Sequence, residues 1–156
     1  MNPKAGYDMW PKSYGELVGF ADSGTKNSIY VSEENKIKHI AYNVDKNFIY
    51  HIQIDGKVFS AKENNTKKMD FLLLNETKKN AYLIELKGCH LGDAIEQLEA
   101  SYMALKNLLG EYTVNWRVVH KPRTHGAKTQ NLQKKLNYCR KKYNLIHGHS
   151  PLEENI

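Results

Sequence analysis

Two apolar runs separated by four polar residues constrain this chain more than any other feature in it. The first is Met69-Asp70-Phe71-Leu72-Leu73-Leu74-Asn75 and the second is Asn80-Ala81-Tyr82-Leu83-Ile84-Glu85-Leu86-Lys87-Gly88, joined by Glu76-Thr77-Lys78-Lys79. Each run has strand length, and a polar four-residue connection between two such runs is the pattern of a β-hairpin. If Asn75 pairs with Asn80, the antiparallel register sets Asp70 opposite Glu85. Residues directly opposite share a face of the sheet, and so do residues two apart on one strand. Asp70, Glu85 and Lys87 are thereby expected to converge. Both faces of this hairpin are apolar, with Leu72, Leu74 and Leu83 on the Asp70 side and Phe71, Leu73, Ile84 and Leu86 on the other. Strands buried on both sides belong in the middle of a sheet covered by helices.

The rest of the chain supplies that setting. At 156 residues one domain is expected, with a core over about 40–143. Residues 1–39 are hard to place, and 144–156 read as a loose tail. Tyr14 to Phe20 suits a short helix, Asp22 to Asn27 a loop, and Ser32 with Glu33 and Glu34 the start of a helical turn. Ile40–Val44 and Phe48–Ile54 read as strands, the second with Phe48, Tyr50, Ile52 and Ile54 on one face. Asp55-Gly56 is a hairpin signal leading into Lys57–Ser60, and 62–68 is a polar loop. Past the central hairpin, Asp93-Ala94-Ile95-Glu96 resembles a capping box. Ile95, Leu98, Tyr102, Leu105 and Leu109 then recur at helical spacing until Gly110. Thr113–His120 is a strand, and a helix runs from about Gln130 to Tyr143. Its inward stripe is Leu132, Leu136, Cys139 and Tyr143, and Lys134, Lys135, Lys141 and Lys142 face out.

Composition narrows the partners. No apolar run reaches the length of a membrane span, and the first residues lack the apolar core of a signal peptide; with only two cysteines, a reducing, cytoplasmic setting is expected. Cys89 and Cys139 have no metal-ligand spacing. A formal net charge of +6 favours polyanionic partners, nucleic acid first.

Two clustered carboxylates repel unless a cation sits between them. Carboxylate oxygens suit a hard ion, and with few protein ligands that ion is Mg²⁺, with Mn²⁺ as a substitute. Asp70, Glu85 and the backbone carbonyl of Leu86 are the expected ligands. A metal held this way acidifies water and polarises a phosphoryl oxygen. Lys87 is placed to orient the attacking water or to stabilise charge on the transition state. One of Glu16, Glu33 or Glu34 is a further candidate acid, although exposed surface glutamate is their commoner fate.

The arrangement Asp70, Glu85-x-Lys87 across a hairpin and before a helix resembles the PD-(D/E)XK, or restriction-endonuclease-like, nucleases, and Gln97 on that helix resembles the auxiliary residue of their resolvase-like members. The likeness covers roughly residues 48–143, with Met69 in place of the proline of the motif. It implies an α/β fold with a central mixed β-sheet flanked by helices, and Mg²⁺-dependent hydrolysis of DNA phosphodiester bonds that leaves 5′-phosphate ends. Asp70, Glu85, Lys87 and Gln97 would be the catalytic set, and a homodimer would be the cutting form. Lys121, Arg123 and Lys128 in a basic loop are the expected phosphate contacts. Two other readings share this pattern: a catalytically inactive nucleic-acid-binding module on the same fold, and a nuclease toxin acting on RNA or DNA. His90 reads as a loop histidine and His147-Gly148-His149 as tail.

Overall fold

Asn75 does pair with Asn80, and the register that follows sets Phe71 opposite Ile84. The two strands are β5 (Phe71–Asn75) and β6 (Asn80–Lys87), and every residue of β5 is buried. The structure, a computed structural model, describes residues 10–59, 68–87, 90–121 and 130–156. Among these it is an α/β protein with mixed sheets of six and three strands and three helices. No described helix is long and apolar enough to cross a membrane.

The larger sheet contains β1 (Asp22–Gly24), β4 (Ile49–Gln53), β5, β6, β7 (Thr113–His120) and β8 (Ile146–His149), side by side in that order. Strands β4, β5 and β6 form an antiparallel meander. Helix α2 (Leu91–Leu105) then carries the chain over, so that β7 lies parallel to β6, and α3 (Gln130–Tyr143) does the same before β8. The short helix α1 (Tyr14–Val18) starts from Ser13, whose hydroxyl accepts the Glu16 amide proton.

The two faces of the hairpin enter different cores, as its alternation requires. Leu72, Leu74 and Leu83 pack with Ile95 and Leu98 of α2 and with Leu136 and Cys139 of α3. Tyr143, at the end of the α3 stripe, stacks on Trp116 of β7 with ring centroids 4.0 Å apart. Phe71, Leu73, Ile84 and Leu86 pack instead against Tyr30, Ile37 and Ala41. Those three residues belong to the smaller sheet, built from β2 (Ile29–Glu34), β3 (Ile37–Tyr42) and β9 (Leu152–Asn155). Helices therefore cover one face of the central sheet, and a second sheet covers the other.

That second sheet overturns two expectations. Ser32–Glu34 is not a helical turn but the end of β2, whose residues Tyr30 and Ser32 point inward at period two. The hairpin closes through Asn35 and Lys36, at φ 51° and 68°, the left-handed pair that a type I′ turn demands. Nor is 144–156 a loose tail. Strand β8 pairs in parallel with β7, and β9 pairs in parallel with β3. An ion cluster fastens β9 between the sheets: the Arg117 guanidinium donates to Glu154 through Nε (2.7 Å) and Nη2 (3.0 Å). His39 Nε2, on β3, lies 2.7 Å from the same carboxylate. The sheets also meet where Ser32 Oγ lies 2.9 Å from Nε2 of His51, a histidine whose pKa is lowered to about 4 by burial.

Other differences are local. The cap of α2 is His90, and Asp93 lies in the first turn rather than at the cap. The helix ends at Leu105, whose carbonyl accepts from both Leu108 and Leu109, and Gly110 follows in a succession of turns. Asp22–Gly24, read as loop, is a short edge strand against β4. Asp55-Gly56 is a turn, with Gly56 at φ 90°, which a side chain resists. It does not open a hairpin: Val58 and Phe59 bond back to the carbonyls of Gln53 and Ile54, and β4 takes β5 as its partner. The polar loop at 62–67 and Cys89 lie outside the described residues.

Candidate active site

Extending the β5–β6 register one step past Phe71–Ile84 brings Asp70 level with Glu85. The Leu86 amide donates to Asp70 Oδ2 at 2.7 Å, and both carboxylates are buried, at 5% and 2% exposure. In an antiparallel pair a residue's N–H and C=O leave the strand on the same side, so the Leu86 carbonyl faces the flank on which its amide meets Asp70. Two side chains of α2 hold the backbone that delivers Asp70. Ser101 Oγ accepts from the Met69 amide at 2.7 Å, and Gln97 Nε2 donates to the Lys68 carbonyl at 3.4 Å. Burial, then the charge of Glu85, then a hydrogen bond with Glu34 push the Asp70 carboxyl well above the usual carboxylate range. Burial likewise raises Glu85, against the pull of its neighbour Asp70 and of the Lys87 charge.

These residues open onto a cleft of ≈ 310 Å³. Asp70, Glu85, Leu86, Lys87, Gln97 and Lys121, six of the expected site residues, all line it. Arg123 and Lys128 lie outside the described residues. Of the three candidate acids, Glu34 is the one in the cleft. Glu16 instead accepts from the Lys12 amide at the start of α1, and Glu33 pairs with Lys38 at 3.6 Å.

Asp55 is a site residue that the sequence did not disclose. Carboxylate oxygens of Glu34, Asp55 and Asp70 lie within 4.8 Å of one another. The placement has a simple cause. The β4–β5 pairing continues beyond Gln53 and Phe71, and the amides of Ile54 and Asp55 reach the Asp70 carbonyl at 2.9 and 3.4 Å. A turn that follows β4 must therefore pass beside Asp70. The signal was present in the meander: a carboxylate at the end of one strand, next to a carboxylate at the start of its neighbour.

The donor set suits a hard divalent cation. Its converging oxygens are those of Glu34, Asp55 and Asp70; Glu85, expected as a ligand, stands outside that group but lines the same cleft, and its Oε2 is buried without a hydrogen-bond partner. A buried carboxylate oxygen with nothing to accept from is a position that an ion completes. The raised pKa values carry a linked stability effect. A carboxyl whose folded pKa exceeds its unfolded pKa destabilises the fold when ionised, so the deficit grows as pH rises from the ordinary carboxylate range towards the raised values. Asp70→Asn, whose amide oxygen still accepts from Leu86, is expected to raise the melting temperature of the metal-free protein at pH 8. The gain corresponds to ~1 kcal/mol, or about 2–4 °C. The same variant should show a smaller rise on adding Mn²⁺ than the parent, and parallel thermal scans with and without EDTA measure both effects.

Comparison of the chain with protein-family models, with curated proteins and with solved structures found no match.

Proposed function

We propose that this protein is a divalent-metal-dependent nuclease that hydrolyses phosphodiester bonds of DNA on a restriction-endonuclease-like core. The observation that carries the reading is the cleft itself: buried Asp70 and Glu85 joined by Glu34, Asp55 and Lys87 at the end of apolar strands. The order of elements supports it, since an antiparallel meander, a crossover helix and a parallel strand are what the resemblance implies. Burying charge without a partner is expensive, and a site that binds and uses a cation explains why this chain does so.

Asp70, Glu85, Glu34 and Asp55 would hold Mg²⁺ or Mn²⁺, with the Leu86 carbonyl as a further ligand. When bound, the ion supplies Lewis acidity and lowers the pKa of water. Lys87 orients the attacking water and stabilises the charge that grows on the non-bridging phosphoryl oxygens. The water oxygen bonds to phosphorus as the bond to the 3′ oxygen breaks, and the 3′ oxygen leaves with a proton. The products are a 5′-phosphate and a 3′-hydroxyl. Gln97 and Ser101 are positioning residues, acting on Asp70 through the backbone at Lys68 and Met69.

The test is a cleavage screen over duplex, branched and single-stranded DNA and over RNA, with Mg²⁺ or Mn²⁺. Cleavage of DNA that disappears in EDTA and in Glu85→Ala is the expected result. A parental rate in Glu85→Ala would remove this site from the reaction. Metal binding without cleavage of any substrate would favour a catalytically inactive module.

A further inference from the structure

Lys87, His120 and His149 are the last residues of three adjacent parallel strands, β6, β7 and β8. The register aligns them: Lys87 stands beside His120, and His120 beside His149. Residues side by side in register share a face, and this is the face of Glu85, two positions before Lys87. His120 and His149 lie with ring centroids 4.8 Å apart, and His147 is 5.9 Å from His120. His147 Nε2 in turn takes a hydrogen bond from the Arg140 guanidinium of α3, at 3.1 Å. Sequence reading left all three histidines without a role.

We infer that Lys87, His120 and His149 form a phosphate-binding row that takes the sugar–phosphate backbone of a nucleic acid where it leaves the acidic cleft. The inference rests on the nuclease reading for its direction and on this alignment for its existence. In open α/β sheets, ligands collect at the carboxyl ends of parallel strands, which is where the row stands. Burial and the positive charge of neighbouring Arg140 hold His147 towards its neutral form, and an anion arriving among these rings would reverse that balance. His120 Nδ1 faces the Lys121 carbonyl at 3.3 Å, which leaves Nε2 as the ring atom for a ligand. Burial lowers the pKa of His120, and an arriving phosphate supplies the negative charge that favours its second proton. The acids of the cleft lie on β2, just before β5, on β6 and in the turn after β4, whereas the row runs the other way, across β6, β7 and β8. One strand of nucleic acid crossing the sheet end thus meets the metal ligands first and the donors next.

Fluorescence anisotropy of a fluorescein-labelled DNA duplex, and of its RNA counterpart, measured in EDTA, tests the row apart from catalysis. His120→Glu with His149→Glu is expected to weaken binding at least tenfold, whereas His120→Lys with His149→Lys should bind as tightly as the parent or more tightly. The slope of log affinity against log salt should be about one to two lower in the glutamate variant than in the lysine variant, as lost phosphate contacts require. His149 is exposed, so the single change His149→Glu carries the test if the double glutamate variant unfolds. Equal affinities for the glutamate and lysine variants on both polymers would overturn the row. The two readings fail separately. A parent that cleaves DNA with binding indifferent to these charges loses the row and keeps the nuclease. Charge-dependent binding in a parent that cleaves nothing keeps the row and loses the nuclease.

Discussion

Lys87→Met should bind Mn²⁺ as the parent does and cut DNA about a hundred- to a thousandfold more slowly, the range found when one donor to a developing oxyanion is removed. The reasoning is geometric. Lys87 offers no oxygen to a metal and lines the cleft beside Glu85 and Asp70, with a charge that acts on Glu85. Replacing it leaves the four carboxylates of the cleft and takes away the cation that the proposed nuclease reaction sets against the phosphate. Calorimetric titration with Mn²⁺ and single-turnover cleavage separate the two roles. A parental cleavage rate in Lys87→Met would sink its assignment as the group that assists the water. By contrast, Asp70→Ala is expected to weaken both metal binding and cleavage, since it removes a ligand.

Glu154→Gln is expected to lower stability by about 3 kcal/mol, at the low end of the range for breaking a buried pair, and so to lower the melting temperature by roughly 6–12 °C. The residue receives two bonds from Arg117 and one from His39, whose side chains are 4% and 0% exposed. Removing the carboxylate charge strands a guanidinium inside the protein. Burial pushes the Glu154 carboxyl up, but His39 and Arg117 outweigh it and hold its pKa below the ordinary value. Its stabilisation is therefore present above the unfolded carboxylate pKa and is lost as pH falls through the lower, folded value. Acid should accordingly narrow the gap between parent and variant. Denaturant melts at pH 7 and pH 4 measure that gap, and one that stays constant would exclude ionised Glu154 as its source.

Local signals made part of this molecule legible. The four-residue connection and the period of two set the β5–β6 register, and with it Asp70, Glu85 and Lys87. Helical spacing of Leu132, Leu136, Cys139 and Tyr143 placed α3, and the β-branched run around Trp116 placed β7. Of the smaller sheet only β3 was legible, as the run Ile40–Val44 where the strand is Ile37–Tyr42, and the rest was illegible for physical reasons. Its turn is Asn35-Lys36 rather than Asn-Gly, so the usual mark of a type I′ hairpin is missing. Ser32-Glu33-Glu34 carries helix-start chemistry that tertiary packing overrides. Strands β8 and β9, Ile-His-Gly-His and Leu-Glu-Glu-Asn, have little apolar alternation. They are strands because parallel partners far away in the chain take their backbone groups. Asp55 was hidden differently: Asp55-Gly56 was read as the turn of a hairpin that does not form, and its carboxylate lies beside Asp70 instead.

The anchoring of β9 bears on when the cleft can exist at all. Glu34 stands at the end of β2, β2 is paired to β3, and β3 is held on its other side by β9 through a contact between residues 115 positions apart. Contacts between such distant residues form late, because closing a long loop precedes any reward from it. During synthesis the Asp70–Glu85 hairpin can assemble with α2 and β7 while the small sheet still lacks its third strand. The sheet that carries Glu34 gains its third strand only after residues 152–155 have been made. Until then the acid of β2 stands on a two-stranded hairpin, and the cleft gains its full support only with β9.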